Sequence, residues 1–277
     1  MHIALTDTST LRIRHRENNN ELGKELWTAA VILMATLRSQ PKMVQGKRVL
    51  EIGAGLGAVG FCSAELGADQ IVLTDCGYQT LIQLSETLRD YHQPATEEEE
   101  EEEKKKELKG SEDHLLWESN NVLIRFHLWE EDLEFIQAQQ ENRPMDTIYH
   151  WSKADDRYRQ IPSLSFESTF DLLLGSDLLY FASQERPLLA TIQLHLAQNG
   201  LALILQTIRT NNGAVFSRFV QAAKEIFDVQ VRDITSEEVD NAIDYQKGDL
   251  HDTQHTIGYR LVTIRYYEKE IIALVHK

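Results

Sequence analysis

Short runs of β-branched and other apolar residues alternate along this chain with stretches whose apolar positions recur every three or four residues. The runs read as buried strands and the periodic stretches as helices. Strands are predicted at 48–52, 70–75, 121–129, 170–177, 201–208 and 228–234. Helices are predicted at 27–37, 78–91, 131–140, 184–198 and 215–227, with Leu81, Leu84 and Leu88 at helical spacing in the second. A short strand is expected at 11–14. A β-rich tail at 259–277 is expected to turn near Glu268 and Lys269. Strands alternating with helices in this way build a doubly wound α/β sheet, here as one domain over residues 1–277.

Three stretches interrupt the rhythm. Residues 93–119 hold seven glutamates at 97–103 and three lysines at 104–106, too polar a composition to order itself by burial, and read as a solvated linker. Residues 141–168 are polar and contain Pro144 and Pro162, and 236–258 form a further insertion.

Candidate chemistry concentrates where the first long strand meets glycine. In Arg48-Val49-Leu50-Glu51-Ile52-Gly53-Ala54-Gly55-Leu56-Gly57-Ala58-Val59-Gly60 an apolar run passes through alternating glycines into an Ala-rich helical stretch. That is the strand, tight turn and helix start of a nucleotide-binding βα unit. The segment 55–60 also satisfies the dinucleotide fingerprint, so the glycines alone leave NAD open. Glu51 shifts the reading, because a carboxylate suits the ammonium of a methionine tail better than a pyrophosphate. The ligand is therefore read as S-adenosylmethionine. Asp75 ends the next strand, where an acid accepts hydrogen bonds from both hydroxyls of a ribose. A turn or helix-capping aspartate is the plainer alternative. Trp27, at the start of its helix, reads equally well as an aromatic anchor.

A formal net charge of −16 disfavours a phosphate-backbone partner, and removing the Glu and Lys runs still leaves −12. The acidity is general and suits a basic protein segment. The longest apolar run, 29–35, is too short to span a bilayer, and no secretory pattern follows Met1. Cys62 and Cys76 lack metal or redox spacing and read as reduced thiols of an intracellular protein. His251 and His255, four apart, have no evident third ligand, so no metal is expected.

With these pieces placed, the sequence resembles a class I, seven-β-strand S-adenosylmethionine-dependent methyltransferase. More narrowly it resembles methyltransferase family 16, a group of mostly non-histone protein-lysine methyltransferases. The residues that carry the resemblance are Leu26-Trp27-Thr28-Ala29-Ala30, the segment 49–57, Leu73-Thr74-Asp75, Leu128-Trp129 and Ser176-Asp177-Leu178-Leu179-Tyr180, the last being that family's Asp-x-x-Tyr signature. They fall within residues 22–208. Glu130 stands where the family usually has glycine after the tryptophan.

The resemblance implies a Rossmann-like sheet of about seven strands with an antiparallel C-terminal strand, preceded by an N-terminal helical extension. It implies that Trp27, Gly53, Ala54, Gly55, Asp75, Trp129 and Ser176, with Glu51, line the cofactor pocket, and that Asp177 and Tyr180 face the acceptor amine. It implies transfer to a lysine of a non-histone protein, such as a chaperone, a translation factor or another abundant cytosolic protein. Neither nucleic acid nor membrane is expected as a partner, and the cytoplasm, or the nucleus, is the expected location. In such a fold ligands sit at the carboxyl ends of the parallel strands. Residues 93–119 and 141–168 should thus start at the opposite edge, and 236–258 should lie on the active-site rim.

Other functions share parts of this pattern. A small-molecule or arginine methyltransferase would use the same fold. A dehydrogenase shares the glycines and Asp75 but explains neither Glu51 nor the Asp177/Tyr180 pair. A DNA or glutamine-amide methyltransferase favours Asn-Pro-Pro-Tyr where Ser176-Asp177-Leu178-Leu179-Tyr180 stands. A non-catalytic scaffold would be expected to have lost Asp177 or the glycine turn.

Overall fold

A computed structural model describes residues 1–13, 22–92, 115–144, 156–246, 250 and 256–267. The poly-Glu run, the His251/His255 pair and the expected turn near Glu268 lie outside the described residues. The chain opens with an antiparallel ribbon, β1 (His2–Ala4) and β2 (Thr10–Arg12), before helix α1 (Thr28–Ser39). The N-terminal extension is thus not helical alone. Three-residue strands are too short to show a period of two, although Ile3, Leu5, Leu11 and Ile13 are all buried.

There follow β3 (Arg48–Ile52), α2 (Ala58–Glu65), β4 (Gln70–Asp75), α3 (Tyr78–His92), β5 (Glu118–Ser119), β6 (Val122–Phe126) and α4 (Trp129–Gln140). The second half is β7 (Phe170–Ser176), α5 (Glu185–His195), β8 (Leu196–Arg209), α6 (Gly213–Lys224), β9 (Phe227–Asp233), α7 (Ser236–Gln246) and β10 (Thr256–Tyr266). Trp129 opens α4 rather than ending a strand, because β6 stops at Phe126.

Eight strands form one sheet in the order β5-β6-β4-β3-β7-β8-β10-β9. β6, β4, β3, β7 and β8 run parallel, and β10 is inserted antiparallel between β8 and β9, as expected of the C-terminal strand. The eighth strand is the two-residue β5, antiparallel at the edge. Alternate residues face opposite layers. Val49, Ile71, Leu73, Leu172 and Leu203 join the core under α1, α2 and α3. Leu50, Ile52, Val72, Leu173 and Ile204 join the core under α5 and α6. Burial on both faces is why these strands read as continuous apolar runs. The chain moves from β3 to β4 and β6 on one side, then crosses to β7 on the other. The crevice at that reversal, beside the carboxyl ends of β3 and β7, is where such sheets bind ligands.

One placement differs from expectation and a second goes beyond it. Helix α7, expected on the active-site rim, packs away from it. Gln246 accepts from the Ala4 N–H at 3.2 Å and donates to the His2 carbonyl, while Arg38 in the last turn of α1 lies 4.0 Å over the Tyr245 ring. Burying its apolar side against α1 and the ribbon draws this helix off the rim. Conversely, the described part of the 141–168 insertion returns to the strand carboxyl ends. Leu164 N–H donates to the Phe126 carbonyl at 2.9 Å, and the Tyr158 hydroxyl donates to the Cys76 carbonyl at 3.1 Å.

Candidate active site

One cavity of about 510 Å³ opens at the reversal point, within the range of ligand pockets. Trp27, Glu51, Gly53, Ala54, Gly55, Asp75, Trp129, Ser176, Asp177 and Tyr180 all line it. Residues drawn from five separate segments are thus brought to one cavity by the sheet.

The glycine turn begins at Gly53, whose φ of +61° is left-handed. Gly55, φ +54°, points its N–H at Asp75 Oδ2, 3.1 Å away, and the Gly77 N–H reaches Oδ1 at 2.9 Å. Asp75 is half-buried, and with these two amides at its oxygens it lines the cavity. Trp129 approaches from the first turn of α4, its ring close to Gly53.

Glu51 sits differently from a surface ammonium ligand. It is fully buried on the α2 side of β3, and its Oε2 accepts the Gly60 N–H at 2.7 Å. A Cβ at Gly60 would lie 2.7 Å from that oxygen, so only glycine lets α2 come this close to the strand. Burial pushes the Glu51 carboxyl up to about 8, against the opposing pull of the Gly60 and Val59 amides. Burial thus biases Glu51 toward its protonated form, and an ammonium placed beside it would favour its ionisation.

Asp177 departs most from its expected role. It follows β7 in a left-handed conformation, φ +53°, and is 1% exposed. Its carboxylate does not stand free to meet an amine. Arg209 clasps it bidentately, Nη1 to Oδ1 at 2.9 Å and Nη2 to Oδ2, and Gln206 Nε2 donates to Oδ1 at 2.7 Å. A carboxylate in a dry interior needs such partners, and Arg209 and Gln206 at the end of β8 supply them. Gln206 Oε1 and Gln184 Oε1 then accept the N–H groups of Leu179 and Tyr180, both at 2.9 Å, fixing the 177–181 loop. The Arg209 guanidinium lies 5.6 Å over the rings of both Trp27 and Tyr180, which meet edge-on at 6.2 Å. Burial, then the Asp177 charge, pushes the Tyr180 phenol well above its ordinary range, so it stays protonated as a donor.

Sequence reasoning missed Arg209, Gln206 and Gln184. For the first two a signal existed: Gln206, Thr207 and Arg209 interrupt an apolar strand at its carboxyl end, and all three are buried. His127, Gly23 and Thr80 also line the cavity without carrying any motif.

The fold and this cavity define a doubly wound α/β protein with a ligand-sized cavity at the strand reversal. More narrowly, residues 5–93 match the model of a family described as lysine methyltransferase, which bears out the resemblance over the segment holding Trp27, the glycine turn and Asp75. The chain is 42% identical over 66 residues to protein N-lysine methyltransferase METTL21A of Danio rerio, a match covering 23% of this chain and 30% of that relative. The chain therefore spans less than a third of the curated relative it matches. Solved structures similar in shape include a fibrillarin/Nop5p complex (12% identity, TM-score 0.47, 96% of this chain and 97% of that one). A ribosomal protein L11 methylase from Lactobacillus delbrueckii subsp. bulgaricus is another (14% identity, TM-score 0.41, 86% and 78%). These likenesses are too loose to bear on chemistry.

Proposed function

We propose that this chain is an S-adenosylmethionine-dependent methyltransferase that methylates a lysine side chain of a non-histone protein. The observation that carries the reading is the meeting, in one cavity, of the glycine turn with Asp75 on one side and the Asp177–Arg209 pair with Tyr180 on the other. The lysine methyltransferase match over residues 5–93 supports it.

The cavity fits the cofactor's parts. Asp75 retains acceptor capacity for ribose hydroxyls, Trp129 offers an aromatic face, and Glu51 is a buried carboxyl that ionises when an ammonium arrives. When bound, S-adenosylmethionine supplies the methyl group and a positive charge. The chain supplies position and a dry wall, which for well-aligned reactants account for about 7–11 kcal/mol of a barrier. An acceptor lysine must lose its proton, and a like charge and desolvation both favour that. Asp177 alone would oppose it, but Arg209 neutralises Asp177 and so removes that opposition. Asp177 accordingly acts by holding the 177–181 loop and Arg209 in place. Tyr180, a protonated phenol at the cavity wall whose oxygen can accept an N–H of the amine, is the residue assigned to orient it.

The acidic chain suits a basic segment of its substrate protein, and a cytoplasmic or nuclear location agrees with its thiols. Calorimetry with S-adenosylhomocysteine and with NAD tests the cofactor half. Binding of the first and not the second is expected, and the reverse would sink the reading.

A further inference from the structure

Behind the cavity wall lies a cluster the methyltransferase reading does not use. His127 sits between β6 and α4, Asp132 in the first turn of α4, and His195 at the last residue of α5. They are 6%, 1% and 0% exposed, and one ligand atom from each lies within 4.8 Å of the other two. Asp132 Oδ2 is 2.7 Å from His127 Nε2 and 3.4 Å from His195 Nε2, and it accepts the Thr191 hydroxyl at 2.7 Å.

The hydrogen positions on His195 follow from its other nitrogen. Nδ1 lies 2.7 Å from the Ser168 carbonyl, which only accepts, so Nδ1 carries the proton. In neutral imidazole Nε2 is then a bare lone pair facing a carboxylate oxygen, and it has no hydrogen-bond partner. His127 Nδ1 and Asp132 Oδ1 are likewise buried without one. Three unsatisfied polar atoms around one carboxylate are unusual in a dry interior. A cation held by the two Nε2 atoms and Asp132 Oδ2 would give the His195 lone pair, which has no partner among the described residues, its ligand.

We propose that His127, Asp132 and His195 form a binding site for a late first-row divalent transition metal, Zn²⁺ above all. Two imidazoles and a carboxylate without thiolate are a Zn²⁺ donor set. The Nδ1–H to carbonyl bond of His195 is the second-shell contact that aims a ligating Nε2. Two donors about 2.0–2.1 Å from a tetrahedral ion stand roughly 3.3–3.4 Å apart, and the His195–Asp132 separation is 3.4 Å. The shorter His127–Asp132 contact opens toward that separation as the ion replaces the shared proton. Thr191 Oγ1 is a further side-chain oxygen at the cluster. The ion would staple the start of α4 to the end of α5, and Trp129, between His127 and Asp132, would be fixed in the cavity by it.

The test uses the full chain without an affinity tag, freed of metal by chelator and then titrated with Zn²⁺ or Co²⁺ alone. One equivalent of Zn²⁺ per chain should survive gel filtration and raise Tm, and Co²⁺ should give the visible bands of a tetrahedral site. His195→Gln and the isosteric Asp132→Asn, each checked for folding by circular dichroism, should lose both the equivalent and the bands. The His251→Ala/His255→Ala double variant should keep them. Failure of the unmodified chain to retain either ion would overturn the proposal and leave a proton-linked His–Asp–His triad. Stoichiometric binding that survives loss of His195 or Asp132, or that disappears with His251 and His255, would overturn it equally.

Discussion

Asp75 and Asp177 occupy equivalent places, each at the carboxyl end of a parallel strand and each lining the same cavity, yet their surroundings are opposite. Asp75 is half-buried, lines the cavity and accepts two backbone amides, Gly55 and Gly77. Asp177 is 1% exposed, left-handed, and held at both oxygens by Arg209 and Gln206. The first is built to receive donors from a ligand, while the second is built to hold a loop and a cation. Position in the topology thus does not decide what a carboxylate does; its partners do.

The largest effect should come from breaking the locked acid. Asp177→Ala leaves Arg209 buried and uncompensated, a loss of about 3–5 kcal/mol when one partner of a buried pair is removed. Urea unfolding should show it, with cofactor affinity falling in parallel as the 177–181 loop loosens. A variant as stable as the parent that had lost only turnover would reverse the comparison. Asp75→Ala should act on binding first. Losing hydrogen bonds to a charged group costs about 1.5–3 kcal/mol, roughly 10- to 150-fold in affinity for S-adenosylhomocysteine. Calorimetry measures it, and an unchanged affinity would leave Asp75 as a turn residue.

Glu51 sharpens the contrast as a third regime, a buried carboxyl with no cation. Its folded value of about 8 lies above the ordinary 4.5. The folded state therefore holds a proton that the unfolded state releases, and this contribution is full below about 4.5 and is lost as pH rises toward 8. The slope should not exceed about 1.4 kcal/mol per pH unit, and Glu51→Gln should remove it. Denaturation curves taken between pH 5 and 8 compare the two, and parallel pH dependences would place the buried titration elsewhere. The smallest effect is expected for Tyr180→Phe. Losing one neutral donor costs about 0.5–1.5 kcal/mol, a 2- to 10-fold drop in turnover. Cofactor affinity should not move, and single-turnover rates with unchanged S-adenosylhomocysteine binding would separate the two.

Much of this was legible along the chain. The apolar runs marked the strands at 48–52, 70–75, 170–177 and 201–208 because both sheet faces are covered there, and the glycines between Ile52 and Ala58 marked the turn. Asp75 was readable as well, since it ends a strand that the apolar run marks and two of its contacts are backbone amides that any sequence supplies. Asp177 was readable only as a position. Its partner Arg209 lies 32 residues on, and nothing in local spacing shows that β8 sits beside β7. The same holds for His195 against His127 and Asp132, and for α7, whose packing on α1 and the N-terminal ribbon is a tertiary fact.

The central claim is methyl transfer to a protein lysine through this cavity. The most direct measurement incubates the full chain with cell extract and S-adenosylmethionine labelled in the methyl group, followed by residue-level mass spectrometry. Label on the side-chain nitrogen of a lysine in a discrete protein, absent with Asp75→Ala at limiting cofactor, is the predicted result. Label confined to arginine, glutamine or small molecules, or no transfer by a chain that binds the cofactor, would contradict it.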